Sequence, residues 1–230
     1  MRRVMLKLSG EALAGDDKTG FDFKFVDNVC KQIKKAHAKK IQIVLMVGGG
    51  NFIRGKMLSN IDKYKADSIG MLSTCMNALY VSEVLRLNGL ESEVYGAFSI
   101  SDMCKRFSKN EANNDLKNNK IVIFATGTGH PYFTTDTGVA LRSIELNCDE
   151  LLMAKSIDGV YDKDPVKYKD AKKYDKISLQ EMVDKKLEVI DLSASTFCLM
   201  NNIKIRIFDL KAKDSILKAI NGAKIGTLIY

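Results

Sequence analysis

The chain has 230 residues, 46% hydrophobic and 28% charged, and its 36 Lys+Arg against 28 Asp+Glu give a formal net charge of +8. That length suits an α/β domain whose core needs no covalent staples, and the composition excludes a disordered or fibrous chain. Five cysteines with no C-x-x-C pair, beside two histidines, argue against a closed disulfide framework and a zinc site.

The first predicted element is a buried strand, Val4-Met5-Leu6-Lys7-Leu8, which ends at Ser9-Gly10. A polar loop (15–20) leads to a helix marked by Phe25, Val29 and Ile33 at helical spacing. Residues 41–47 form a continuous apolar run with β-branched members, as in a central parallel strand, and stop at Gly48-Gly49-Gly50. A long helix is expected over 65–87. Ile69, Leu72, Met76, Leu79 and Val84 mark one apolar face, and Met71, Cys75, Ala78 and Val81 a neighbouring one, so this helix is deeply buried or shared with another subunit. There follow a short strand at 93–95, a short helix near Ser101, a buried strand at 121–125 and a helix over 134–146. A strand at 150–154 precedes an Asp158-Gly159 turn. Lysines and aspartates then alternate over 162–176, the pattern of a solvated face rather than of a nucleic-acid stripe. Ser178-Leu179-Gln180-Glu181 matches a capping box, and a strand (203–208), a helix (214–220) and a last strand (226–229) close the chain. No apolar signal-peptide core and no uncharged run long enough to span a membrane is present, so a cytoplasmic location with no membrane partner is expected.

Strands alternating with helices predict an α/β fold, a three-layer αβα sandwich around a central mostly parallel sheet, with a single domain over 1–230. Ligands of such sheets lie at the carboxyl ends of the strands, where every glycine cluster of this sequence falls.

Neither G-x-x-x-x-G-K-[ST] nor a G-x-G-x-x-G following a strand occurs, so the phosphate-binding devices are distributed over several strand ends. Lys7 stands in an otherwise apolar strand: it is a fixed cation at a strand end, followed by a glycine that admits backbone donors to a phosphate, or a side chain snorkelling from an edge strand. Three consecutive glycines at 48–50 carry an entropic cost that a plain turn does not require, and close backbone approach to an anion explains them, with Arg54 as a clamp or a surface arginine. Gly127-Thr128-Gly129-His130-Pro131-Tyr132-Phe133-Thr134-Thr135-Asp136 combines glycines, hydroxyls and rings just before a helix N-terminus, which suits a phosphate and a base. Asp136 there serves equally as a helix cap or in catalysis. After the Asp158-Gly159 turn, Tyr161 and paired acids are placed to grip a purine and its ribose.

Taken in this order, the four segments resemble the amino-acid-kinase superfamily, and specifically its bacterial UMP kinase branch, over nearly the whole chain. The specific signals are Gly70-Met71-Leu72-Ser73-Thr74 with Asn77, the Thr-Gly-x-Pro-Tyr-Phe-Thr-Thr-Asp run, and Val189-Ile190-Asp191-Leu192. The resemblance implies transfer of the ATP γ-phosphoryl group to UMP, with Mg²⁺ accompanying ATP and no protein metal ligands assigned. It implies an ATP site at Lys7, Leu8, Ser9, Gly10, Gly50, Arg54, Lys155, Tyr161 and Asp164, and catalytic roles for Lys7, Arg54 and Asp136. It implies a UMP site at Gly49, Asp67, Thr128, Gly129, His130, Pro131, Tyr132, Phe133, Thr134 and Thr135. Gly15, Asp16, Asp17, Lys18, Thr19 and Gly20 align with an effector-nucleotide loop, with GTP as activator and UTP as inhibitor, and a homohexamer is implied. Two departures stand out: His130 replaces a frequent Asn, and Ala154-Lys155-Ser156 replaces Ala-Thr-Lys. Rival readings are a phosphoryl transferase acting on a carboxylate, carbamate or different phosphate, a non-catalytic nucleotide binder, and, from charge alone, a nucleic-acid-binding module.

Overall fold

A computed structural model describes residues 1–17, 19–53, 58, 60–187 and 189–230. Elements in chain order are β1 (Arg3–Leu8), α1 (Gly10–Leu13), α2 (Phe23–His37), β2 (Gln42–Val47), α3 (Lys63–Leu87), β3 (Ser92–Gly96), β4 (Lys105–Arg106), α4 (Lys109–Lys117), β5 (Ile121–Phe124) and α5 (Thr135–Glu145). Then come β6 (Glu150–Lys155), β7 (Val160–Tyr161), β8 (Lys173–Tyr174), β9 (Lys176–Ile177), α6 (Leu179–Asp184), α7 (Leu192–Met200), β10 (Lys204–Asp209), α8 (Ser215–Ile220) and β11 (Thr227–Ile229).

Nine strands form one sheet in the order β4-β3-β5-β2-β1-β6-β10-β11-β9, and all neighbours pair in parallel except β10 with β11. β1 is thus central, between β2 and β6, which removes the edge-strand explanation for Lys7. Period-two alternation distributes the strand residues between two cores. Val4, Leu6 and Leu8 join α2, α3 and α8, whereas Met5 joins α4, α5, α6 and α7 on the other face. Lys7 follows Met5 by two residues and so emerges on the α5 side. The result is the three-layer α/β architecture.

The helix expected near Ser101 is absent. Ser101 has φ +47°, incompatible with a right-handed helix, and residues 100–104 close a turn through an Ile100–Cys104 bridge. The helix of this region begins instead at Lys109, capped by Ser108, and turns only Ala112, Asp115 and Leu116 inward. The 162–176 stretch is largely exposed and is closed by the β7–β8 hairpin and the Lys163–Asp170 pair. The Ser178 cap forms, its hydroxyl accepting from Glu181 N at 3.0 Å.

All five cysteines are free and buried. Burial pushes the thiols of Cys30, Cys104, Cys148 and Cys198 up to about 12, and that of Cys75 upward. Since the thiolate is the reactive species, the native protein should give no fast reaction with a thiol-specific disulfide reagent, and five equivalents after denaturation. A stoichiometric native reaction would show that a core region opens.

Candidate active site

The carboxyl ends of β1, β2, β5 and β6 form one ledge, and the turns after them meet there. Leu8 is fully buried, and its carbonyl accepts from Gly48 N at 2.9 Å, locking the β1 and β2 turns together. Ser9 caps α1, its hydroxyl accepting from Ala12 N at 3.3 Å. A Cβ on Gly10 would lie 2.4 Å from Gly50 N and 2.7 Å from Gly48 O, so glycine is required by backbone packing. A Cβ on Gly49 would likewise fall 2.0 Å from Ser73 Oγ of α3.

Beneath this turn lies a polar pair invisible to pattern reasoning. Asn77 Nδ2 donates to Gly48 O at 2.5 Å and to Asn51 Oδ1 at 2.7 Å; Asn51 Nδ2 donates to Asn77 Oδ1 at 3.0 Å and to Gly20 O at 2.8 Å. Both asparagines are buried, and together they bind the glycine turn, α3 and the 15–20 loop. Stacking of Phe21 on Tyr80 of α3, with centroids 3.7 Å apart, fastens the far end of that loop. Gly15, Asp16 and Asp17 form a short 3-10 turn there, while Lys18 lies outside the described residues. Substituting Asn77 with leucine strands Gly48 O and Asn51. At about 1–3 kcal/mol for each buried group left unpaired, we expect a loss of about 2–4 kcal/mol and a Tm lower by roughly 5–15 °C. An unchanged Tm would show that the pair is not needed to hold the turn.

The segment after β5 folds over the N-terminal half of α3. Thr126, Gly127, Gly129 and Tyr132 all have positive φ, and for the two non-glycines that is strained. Hydrogen bonds hold them: Thr126 N donates to Thr74 Oγ1 at 2.7 Å, Ala97 N donates to Thr126 Oγ1 at 2.8 Å, and Tyr132 N donates to Asp67 Oδ2 at 2.7 Å. Gly49, Gly50, Asp67, Thr128, His130, Phe133, Thr134 and Thr135 are thereby gathered around a cavity of about 310 Å³. Sequence reasoning had not placed Gly70, Met71 and Thr74 in a site, yet they line it as well, although the Gly70–Thr74 run was already one of the specific signals. Gly129, Pro131 and Tyr132 shape the turn without lining this cavity; Tyr132 lies beneath Lys63, 5.5 Å from its Nζ.

Thr134 is the cap of α5, its hydroxyl accepting from Asp136 N and Thr137 N. That settles the alternative left open for Asp136, whose carboxylate is not the cap. It pairs instead with Lys7, Oδ1 to Nζ 3.0 Å, both side chains 14% exposed. Lys155 approaches the other oxygen, Oδ2, at 3.8 Å and donates to the Val189 carbonyl. Asp191 caps α7 by accepting from Ala194 N at 2.8 Å, and also accepts from the Thr134 and Thr137 hydroxyls, so the Val189–Leu192 run ties α7 to the start of α5. Asp136, Lys155 and Asp191 head a second cavity of about 720 Å³ whose walls are apolar, including Met182, Val183, Leu187 and Ile190.

Two expected contacts stand elsewhere. Tyr161 donates to Asp158 Oδ1 at 2.7 Å, and Asp164 Oδ1 accepts from Val166 N at 2.9 Å; among the described residues, neither lines either cavity. Arg54 lies outside the described residues.

A donor-sized apolar slot and a smaller polar cavity thus meet at Thr135–Asp136, beside one lysine and a glycine turn. Residues 2–209 match the model of the amino acid kinase family. The chain is 42% identical to a uridylate kinase of Xanthomonas campestris pv. campestris, over 99% of this chain and 96% of that one. The structure resembles a UMP kinase from Bacillus anthracis (TM-score 0.96, 32% identity, 99% of this chain and 95% of that one). It also resembles a UMP kinase from Ureaplasma parvum (TM-score 0.94, 31% identity, 99% and 98%). With sequence and fold matching over almost its whole length, the chain belongs to the amino acid kinase family and, within it, to the uridylate kinases.

Proposed function

We propose that the chain transfers the γ-phosphoryl group of MgATP to UMP, giving UDP and ADP for pyrimidine nucleotide biosynthesis. The observation that carries this reading is the junction of the two cavities at the N-terminus of α5, with Lys7 and Asp136 at the boundary. The larger cavity, apolar with a charged head, suits ATP, and the smaller one suits UMP, with Asp67 and the 128–135 turn as its recognition elements. The acceptor phosphate is anionic at neutral pH, so no strong general base is needed. Catalysis then consists of positioning and charge neutralisation. Lys7 neutralises the phosphoryl group in transit, and the backbone N–H groups of Gly10, Gly49 and Gly50, with the α5 dipole, support its oxygens. Mg²⁺ is treated as part of the MgATP substrate; among the described residues no group of three or more His, Cys, Asp or Glu side chains gathers to hold a metal.

Several companion properties belong to the same proposal. A single amino-acid-kinase domain over 1–230 and a cytoplasmic location fit it; among the described residues, no helix is long and apolar enough to cross a membrane. Activation by GTP and inhibition by UTP acting through the 15–20 loop, and a homohexamer, come from the family likeness. Ile69, Leu72 and Met76 of α3 are 39%, 51% and 47% exposed, an apolar stripe that a second subunit would cover.

A coupled assay of MgATP with UMP, CMP, dUMP and carbamate, with and without GTP, tests the reading. UDP should form preferentially from UMP. Nucleotide binding without UDP, or preference for a carbamate or carboxylate acceptor, would overturn it. A solution mass equal to one chain at micromolar concentration would remove the hexamer.

A further inference from the structure

β1 and β6 are parallel neighbours with Lys7 opposite Met153. Lys155 lies two residues beyond Met153 and therefore leaves the sheet on the same face as Lys7. A single carboxylate, Asp136, consequently faces two ammonium groups, one at 3.0 Å and the other at 3.8 Å. One cation per carboxylate suffices for a structural pair. Asp191, the other acid nearby, already accepts from Thr134, Thr137 and Ala194 N. Lys155 is 25% exposed, and its printed partners are a backbone carbonyl and a carboxylate beyond hydrogen-bond range. A strongly hydrated ammonium with so few partners, at the head of the larger cavity, is poised for an anion.

We propose that Lys155 is a second phosphate-contacting cation of this site, turning from Val189 O and Asp136 onto the donor nucleotide's phosphate and sharing with Lys7 the charge on the group in transit. Lys155 stays protonated throughout, and the transferred group passes between the two nucleotides. The inference rests on the kinase reading above, and it gives Lys155 a phosphate contact where the family likeness implied an adenosine contact.

The pH dependence follows. Burial drives the Lys155 pKa below the ordinary lysine value, helped by Lys7 and opposed by Asp136 and Asp191. Lys186 lines the same cavity, and Asp209 is the register neighbour on β10. The charge is present below the folded pKa and lost as pH rises through it, so the rate should fall on the alkaline side earlier than an ordinary lysine would give.

The test compares full-length wild type, Lys155→Met and Lys155→Arg by steady-state kinetics between about pH 7 and 10, with MgATP affinity measured separately by calorimetry. Lys155→Met should lower kcat by about 10- to 100-fold and weaken MgATP, with KM for UMP unchanged. Lys155→Arg should recover part of the rate and lose the alkaline fall. A wild-type kcat in Lys155→Met would overturn the proposal, and so would a raised KM for ATP with only a lower Tm, the signature of a mere tether to Val189. If wild type makes no UDP, the substrate reading fails by itself. MgATP binding then decides the role of Lys155, with equal affinities in wild type and Lys155→Met overturning it and a tenfold or greater loss sustaining it.

Discussion

Replacing Lys7 with alanine should lower kcat by about 100- to 1,000-fold while the protein stays folded, as measured by UDP formation beside circular dichroism. The ammonium lies at the carboxyl end of the central strand, where the two cavities meet, and backbone N–H groups cannot replace a full positive charge there. Removing one partner of a buried ion pair ordinarily destabilises strongly, because the other charge is stranded. Here Lys155 remains 3.8 Å from Asp136, so the carboxylate keeps a cation and the fold should survive. Substituting both lysines removes that reserve, and the double variant should lose more stability than the two single losses combined. Near-wild-type turnover in Lys7→Ala would remove Lys7 from the mechanism.

That redundancy also marks how far the sequence could be read. Lys7 was legible because a lone charge interrupts an apolar strand, and Gly48–Gly50 because three glycines follow another. The partnership of Lys7 with Asp136 was not, since it depends on which face of β1 meets α5. Asp136 was ambiguous for a local reason: a carboxylate near a helix start suits a cap, and only the geometry shows that the Thr134 hydroxyl already fills that role. The Asn51–Asn77 pair and the approach of Lys155 to Asp136 arise from elements far apart in the chain, and no periodicity encodes them. The α4 helix was missed because its sequence, KNEANNDLK, offers a single strongly apolar residue to a pattern search. At the other extreme, β2 and β5 were evident because their buried runs are continuous, as double-sided burial demands.

Glycines show the same divide most sharply, because one residue type serves different ends. Gly10→Ala should be among the most damaging single changes in the chain. Gly10 has no positive φ to explain it, yet the added Cβ would meet Gly50 N at 2.4 Å, Gly48 O at 2.7 Å and Asn51 Oδ1 at 2.8 Å. Two of these are backbone atoms, and the third belongs to the buried asparagine pair, so none can swing aside as a surface side chain would. Overpacking of this kind costs about 3 kcal/mol, and Tm should fall by roughly 6–12 °C. Relief requires the β1 and β2 turns to separate, and a displacement of about 1 Å in a positioning element lowers rate by about 100-fold. Activity per folded molecule should therefore fall together with stability, in contrast to Lys7→Ala, where it falls almost alone. Gly70→Ala supplies the comparison: it lies within α3, its Cβ would meet nothing within 4 Å, and it should stabilise by about 0.5–1 kcal/mol. Should Gly10→Ala retain both Tm and turnover, the contact between the two turns is not what aligns the phosphate-binding backbone.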